Sequence, residues 1–146
     1  AASDVYKRQG LGNAVDGYKG TAPGPTAGDA LDAFTAAYKA EFGEDPAPYS
    51  AQAYDAIMIM ALSAAANGVT GADIASGLVE ASANGTPCIG VECLASAAAG
   101  ENIDYKGASG DINLDEQGDP TASTYDVWQI TSGDEEEVIK SIDFGS

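Results

Sequence analysis

Asp45-Pro46-Ala47-Pro48-Tyr49-Ser50-Ala51-Gln52-Ala53-Tyr54-Asp55-Ala56 joins a proline-marked turn to a long apolar helix. The prolines lack backbone donors and push the residue before each of them away from helical geometry, so the turn ends at Pro48. The helix then runs from Pro48 or Tyr49 to Asn67, where Gly68 is placed to stop it. Ala53, Tyr54, residues 56–62 and residues 64–66 make it apolar nearly all round. Such a helix is expected to be buried on most sides. Its many alanines permit close approach of neighbours. Tyr54 is expected at a buried position, and Asp55 as a hydrogen-bonded carboxylate.

Upstream, residues 15–25 read as a short strand-like start followed by a loop punctuated by Gly17, Gly20, Pro23, Gly24 and Pro25. A helix follows, with Thr26 as its expected cap and Asp29 complementing the dipole near the first turn. Leu31, Phe34, Tyr38 and Phe42 recur at helical spacing and form one apolar face, and Gly43 is placed to end it. Residues 1–9 hold two of the six basic residues and show no period. They resemble junction sequence and are read as a non-native leader.

Downstream, Thr70 and Asp73 open a third helix in capping-box fashion, with Ile74, Leu78 and Val79 facing inward and Asn84-Gly85 ending it. Residues 91–99 read as a short fourth helix closed by Gly100. The character then changes. Residues 111–115 alternate as a half-buried strand would, residues 116–120 turn, and residues 123–131 are the clearest strand, rich in Tyr125, Val127, Trp128 and Ile130. Ser132-Gly133-Asp134 signals a turn into a weaker last strand at 137–144. Strand, helices, strand is an α/β pattern of three to four helices followed by a small antiparallel region. The last three strands are expected to form a meander.

The 146 residues suit one domain. A net charge of −17, from 23 acidic and 6 basic residues, repels nucleic-acid phosphates and anionic lipid headgroups. The acidity serves either solubility or life among cations. There is no histidine, which removes the commonest metal ligand and general base. Neither a Ser-His-Asp nor a Cys-His nucleophile can be built, and two cysteines make a poor zinc site. Cys88 and Cys93 are spaced C-x4-C, and they form either a small disulfide loop or two buried thiols. The longest apolar run, 56–66, is broken by Ser63 and too short to span a bilayer. Residues 1–9 lack the apolar core of a secretory signal, so an export signal would lie upstream.

Several pieces, in order and at agreeing spacings, resemble the type I periplasmic solute-binding proteins of ABC importers, the branched-chain amino acid and amide branch. Gly17-Tyr18-Lys19-Gly20-Thr21-Ala22-Pro23-Gly24 is similar to a strand crossing between lobes. Phe34-x3-Tyr38-x3-Phe42-Gly43-x2-Pro46-x2-Tyr49 resembles the family pattern that leads into the helix quoted first. Ile103-Asp104-Tyr105-x-Gly107-x-Ser109-Gly110, Leu114-Asp115-x2-Gly118-Asp119 and Tyr125-Asp126-Val127-Trp128 resemble its late run. Asp111 stands where the family often has proline. The family's receptors are more than twice as long, so the likeness is to their C-terminal portion alone.

The resemblance implies a two-lobed receptor that closes on a small solute, an amino acid, an amide or a urea-like compound, and hands it to a membrane permease. It implies no cofactor, no catalysis, no insertion of its own into the membrane, and a periplasmic or extracellular location. Residues 10–122 would hold a hinge crossing and part of the first lobe, and residues 123–146 the return crossing and a tail in the second. Tyr49 is the residue carried over as a ligand contact, an aromatic face with a polar tip, although it could equally staple the helix entry. Thr21, on the crossing, is a second cleft candidate. With half the closed site missing, this chain alone should bind weakly and expose apolar surface.

Three rival readings remain. Asp111-x-Asn113-x-Asp115 copies the opening of a calcium loop, but Glu116 stands where glycine is required and Ala122 where a glutamate is. Paired carboxylates could do acid–base work, though no pair stands out, and Gly10, Gly12 and Gly17 make no dinucleotide fingerprint. A sensory or regulatory module could reuse the same fold.

Overall fold

The computed structural model describes residues 12–132 and 135–145. Residues 1–9, read as a leader, lie outside them. The strands are β1 (Lys19–Gly24), β2 (Thr86–Ile89), β3 (Ile103–Gly107), β4 (Gly110–Asp111), β5 (Ser123–Ser132) and β6 (Glu135–Phe144). The helices are α1 (Asp29–Phe42), α2 (Ser50–Asn67), α3 (Gly71–Ser82) and α4 (Cys93–Ala98), with single 3-10 turns at Gly12–Val15 and Gly90–Glu92. Two three-stranded sheets result. One is antiparallel, in the order β1-β5-β6, and the other is mixed, in the order β2-β3-β4.

The core sits in the helical body. Met58, Ile59 and Leu62 of α2 pack with Ala81 of α3, Cys93 and Ala97 of α4, and Ile103 and Tyr105 of β3. Gly77 lets α3 approach α2 closely, since a Cβ there would lie 2.5 Å from the Ser63 hydroxyl. That hydroxyl donates to the Ile74 carbonyl at 2.7 Å. Thr70 and Asp73 form the expected reciprocal capping box, and Gly43 closes α1 at φ 75°. Among the described residues no single helix is long and apolar enough to cross a membrane; α2 and α3 pass that test only as a pair bent by 107°.

Several expectations are corrected. Thr26 does not cap α1, whose N-cap is Gly28 with no side-chain bond. The Thr26 hydroxyl is instead 2.7 Å from that of Thr124. Residues 111–115 are no strand beyond Gly110–Asp111 and a single bridge from Leu114 to Pro120. The Asp115 carboxylate accepts from the Gln117 and Asp119 amides and curls the chain into a turn. The meander's third strand is therefore β1, from the far end of the chain. β2 and β3 were not foreseen, although β3 carries a plain signal: Ile103, Tyr105 and Gly107 are buried in strict alternation. β2 holds Pro87, which an edge strand tolerates. Finally, α2 is not buried on most sides. It packs against α3, α4 and β3, while Ile57 is 62% exposed and Met60 41%. Tyr54 is half-buried.

Candidate functional site

Among the described residues the buried charged group is Asp55, 2% exposed on the inner face of α2. It faces the turn between β3 and β4. Oδ1 accepts from the Tyr105 hydroxyl at 2.8 Å and the Ala108 amide at 2.8 Å. Oδ2 accepts from the Ser109 amide at 2.7 Å and the Ser109 hydroxyl at 2.6 Å. Four donors on one carboxylate satisfy its lone pairs, the condition for keeping such a group buried. Gly107 makes room, because a Cβ there would lie 2.6 Å from Oδ2. Burial, with the Asp55 charge beside it, pushes the Tyr105 phenol well above its ordinary range. Burial and the same charge also raise Tyr54. Tyr105 therefore keeps its proton and donates it in a hydrogen bond to Asp55.

The turn leads to a cleft of about 570 Å³ between the helical body and the β1-β5-β6 sheet. Thr26, Ser109 and Gly110 line one part, Thr124 and Asp143 another. Lys106 borders it, held between Asp111 at 3.0 Å and Asp104 at 3.1 Å. Burial disfavours its ammonium, but the hydrogen bonds to the two carboxylates outweigh that and raise it. Gln52, in the first turn of α2, reaches the Pro23 carbonyl at 3.5 Å and lines the same cleft.

Tyr49 stands at the N-cap of α2 with φ 70°, 40% exposed. A non-glycine residue in this left-handed region carries backbone strain. It lines neither this cleft nor the hollows beside α1 and on the outer face of the sheet. Thr21 pairs with Val127 and lines a shallow hollow of about 540 Å³ with Tyr125, Ile142 and Phe144 on the outer face of the sheet. The two residues are therefore not brought together within this chain. The residues missed at the sequence level are Thr26, Ser109, Thr124 and Gln52. Ser109-Gly110 was quoted as part of a pattern, but no local signal shows that its serine reaches a helix 54 residues away.

A third hollow, a groove of about 880 Å³, runs beside α1. Phe34 stacks on Tyr54 and Tyr38, and Tyr38 on Phe42. Its far wall is the 88–93 loop, where the Cys88 and Cys93 sulfurs are bonded and their Cα atoms are 5.5 Å apart. Among the described residues no three metal-ligating side chains converge. In the calcium-like segment, Asp111 bonds Lys106 and Asp115 bonds its own turn.

Residues 3–133 match the receptor family ligand binding region, and the chain belongs to that family. The fold is similar to that of a leucine-binding protein, LivK, from Thermotoga maritima, with a TM-score of 0.59 and 24% identity. The likeness covers 88% of this chain and 31% of LivK, so the chain spans about a third of that protein's length. No curated protein matches the chain in sequence. The family and the structural neighbour are binding proteins.

Proposed function

We propose that this member of the receptor ligand-binding family is part of a solute receptor for an ABC importer. It captures an amino acid, an amide or a similar small solute by closure of two lobes and passes it to a membrane permease. In this reading the helical body belongs to the first lobe, β1 and β5 are crossings, and β6 lies in the second lobe. The work is done outside the cytoplasm, without catalysis. LivK's name supports an amino-acid ligand, and the fourfold-bonded Asp55 leaves that carboxylate occupied with structure rather than acid–base chemistry.

One observation carries the choice of site. An aromatic side chain, Tyr49, is held partly exposed in a strained conformation at the start of the helix whose first turn bonds to the crossing strand through Gln52. Strain of this kind concentrates at ligand-contacting positions. Thr21 would contribute from the crossing.

The test is calorimetric titration of the complete gene product with leucine, isoleucine, valine, short amides and urea. Tyr49→Gly relieves the positive φ, so stability should hold or rise by roughly 1 kcal/mol. The same change should weaken solute binding at least tenfold, about 1.4 kcal/mol. Unchanged affinity would leave Tyr49 as a helix staple. Absence of binding by every solute in the panel would favour a sensory module with another ligand.

A further inference from the structure

The bonds around Asp55 do not stop at the β3–β4 turn. The Ser109 carbonyl accepts from the Thr26 amide at 2.9 Å. The Thr26 and Thr124 hydroxyls are 2.7 Å apart, and Thr124 donates to Asp143 Oδ1 at 2.8 Å. Since the Thr124 proton is spent on Asp143, Thr26 must be the donor in the hydroxyl pair. Each link therefore has an assigned donor, and Thr26 donates to both sides, by its hydroxyl to Thr124 and by its amide to Ser109. The chain Asp143, Thr124, Thr26, Ser109, Asp55 runs from the far edge of the antiparallel sheet to the buried face of α2. It spans the wall of the cleft between the sheet and the helical body. Gly110 permits the approach, because a Cβ there would lie 2.8 Å from the Thr26 hydroxyl oxygen.

Its members differ in burial. Asp55, Tyr105 and Ala108 are buried, as is Thr124, whereas Thr26 and Asp143 are exposed. A joint flanked by fixed anchors and open to water is where two bodies can turn without breaking either. We propose that this relay is the pivot between the helical body and the crossing sheet, with Asp55 as its positioning residue. Its role as a lobe hinge rests on the receptor reading above; the relay itself does not.

The experiment is residue-resolved hydrogen exchange on this chain, comparing Asp55→Asn, Ser109→Ala, Thr124→Val and, as a control, Thr70→Ala. Ser109→Ala keeps every backbone bond, so it remains informative if Asp55→Asn fails to fold. Ser109→Ala and Thr124→Val should each speed exchange of the Thr26 amide by roughly tenfold, and Thr124→Val should also speed that of Ser109. Thr70→Ala should move neither. Loss of protection confined to 108 and 109 in Ser109→Ala, with Thr26 unmoved, would overturn the relay. Small-angle scattering of the complete gene product, with and without leucine, separates the two claims. A relay seen by exchange with no change of closure in Thr124→Val would overturn the hinge role while leaving the linkage standing.

Discussion

The two faces of α2 have opposite fates. One carries Asp55, Met58, Ile59, Leu62 and Ser63, all buried, with every oxygen of Asp55 matched to a donor. The other carries Ala53, Ala56, Ile57 and Met60, which follow one another at i, i+3, i+4 and i+7 and are all exposed. By hydropathy the exposed face is the more apolar of the two. What decides burial here is not the hydrophobicity of a side chain but whether a partner stands opposite it. On the inner side α3, α4 and β3 do. Polar atoms are welcome there because the β3–β4 turn turns its amides toward them.

That contrast can be broken at its strongest point. Asp55→Ala would strand four donors in or near the core, and urea unfolding should show a loss on the order of 3–5 kcal/mol. A loss below about 1 kcal/mol would mean water replaces the carboxylate and the knot organises nothing.

Next in size is Gly20→Ala. A Cβ at Gly20 would lie 2.2 Å from the Trp128 ring, so the indole must leave the strand it covers. The expected cost is about 1–3 kcal/mol. Trp128 is the only tryptophan, so its fluorescence should shift to the red as the ring meets water. An unmoved spectrum would show that the β1-β5 pair can slide to accommodate it.

Smaller again is the cap of α3. Thr70→Ala should cost about 1 kcal/mol. Hydrogen bonds from Thr70, side chain first and backbone second, hold the Asp73 carboxyl below its ordinary value of 3.8. A depressed carboxyl stabilises the fold above its unfolded value and stops doing so as pH falls through the lower, folded one. Exchange of the first-turn amides of α3 should therefore rise only in acid below about pH 4. A rise near neutrality would point to another group.

The smallest effect on stability belongs to the bare face. Ile57→Ser should change the unfolding free energy by no more than about 0.5 kcal/mol. It should nevertheless reduce binding of a hydrophobic dye and any self-association. A large loss of stability would show that the stripe is covered in solution.

Much of this was open to inspection in the order of residues. Gly43 and Gly68 sit where their helices end, and Thr70 with Asp73 caps α3, because caps depend on neighbours within a turn. The strands at β5 and β6 follow from the strand-forming residues of 123–131 and the turn signal in the sequence after them. Asp55 reads as a bonded carboxylate because an acid inside an apolar helix has few other ways to exist. Its partners did not, since Tyr105, Ala108 and Ser109 lie more than forty residues on. Thr26 was misplaced for the same reason. As a local cap it is plausible, and only the return of β5 beside β1 offers it Thr124.

The sequence by itself determined the helices, the glycine stops of α1 and α2, the cap of α3, the acidic surface, the lack of histidine chemistry and the likeness to solute receptors, all properties of composition or of residues within a few turns. Tertiary structure alone decided that β1 closes the sheet with β5 and β6, that one face of α2 is bare, and that Thr21 and Tyr49 stand apart. Those outcomes depend on which distant segments meet, and a hydrogen bond or a buried face exists only once its partner has arrived.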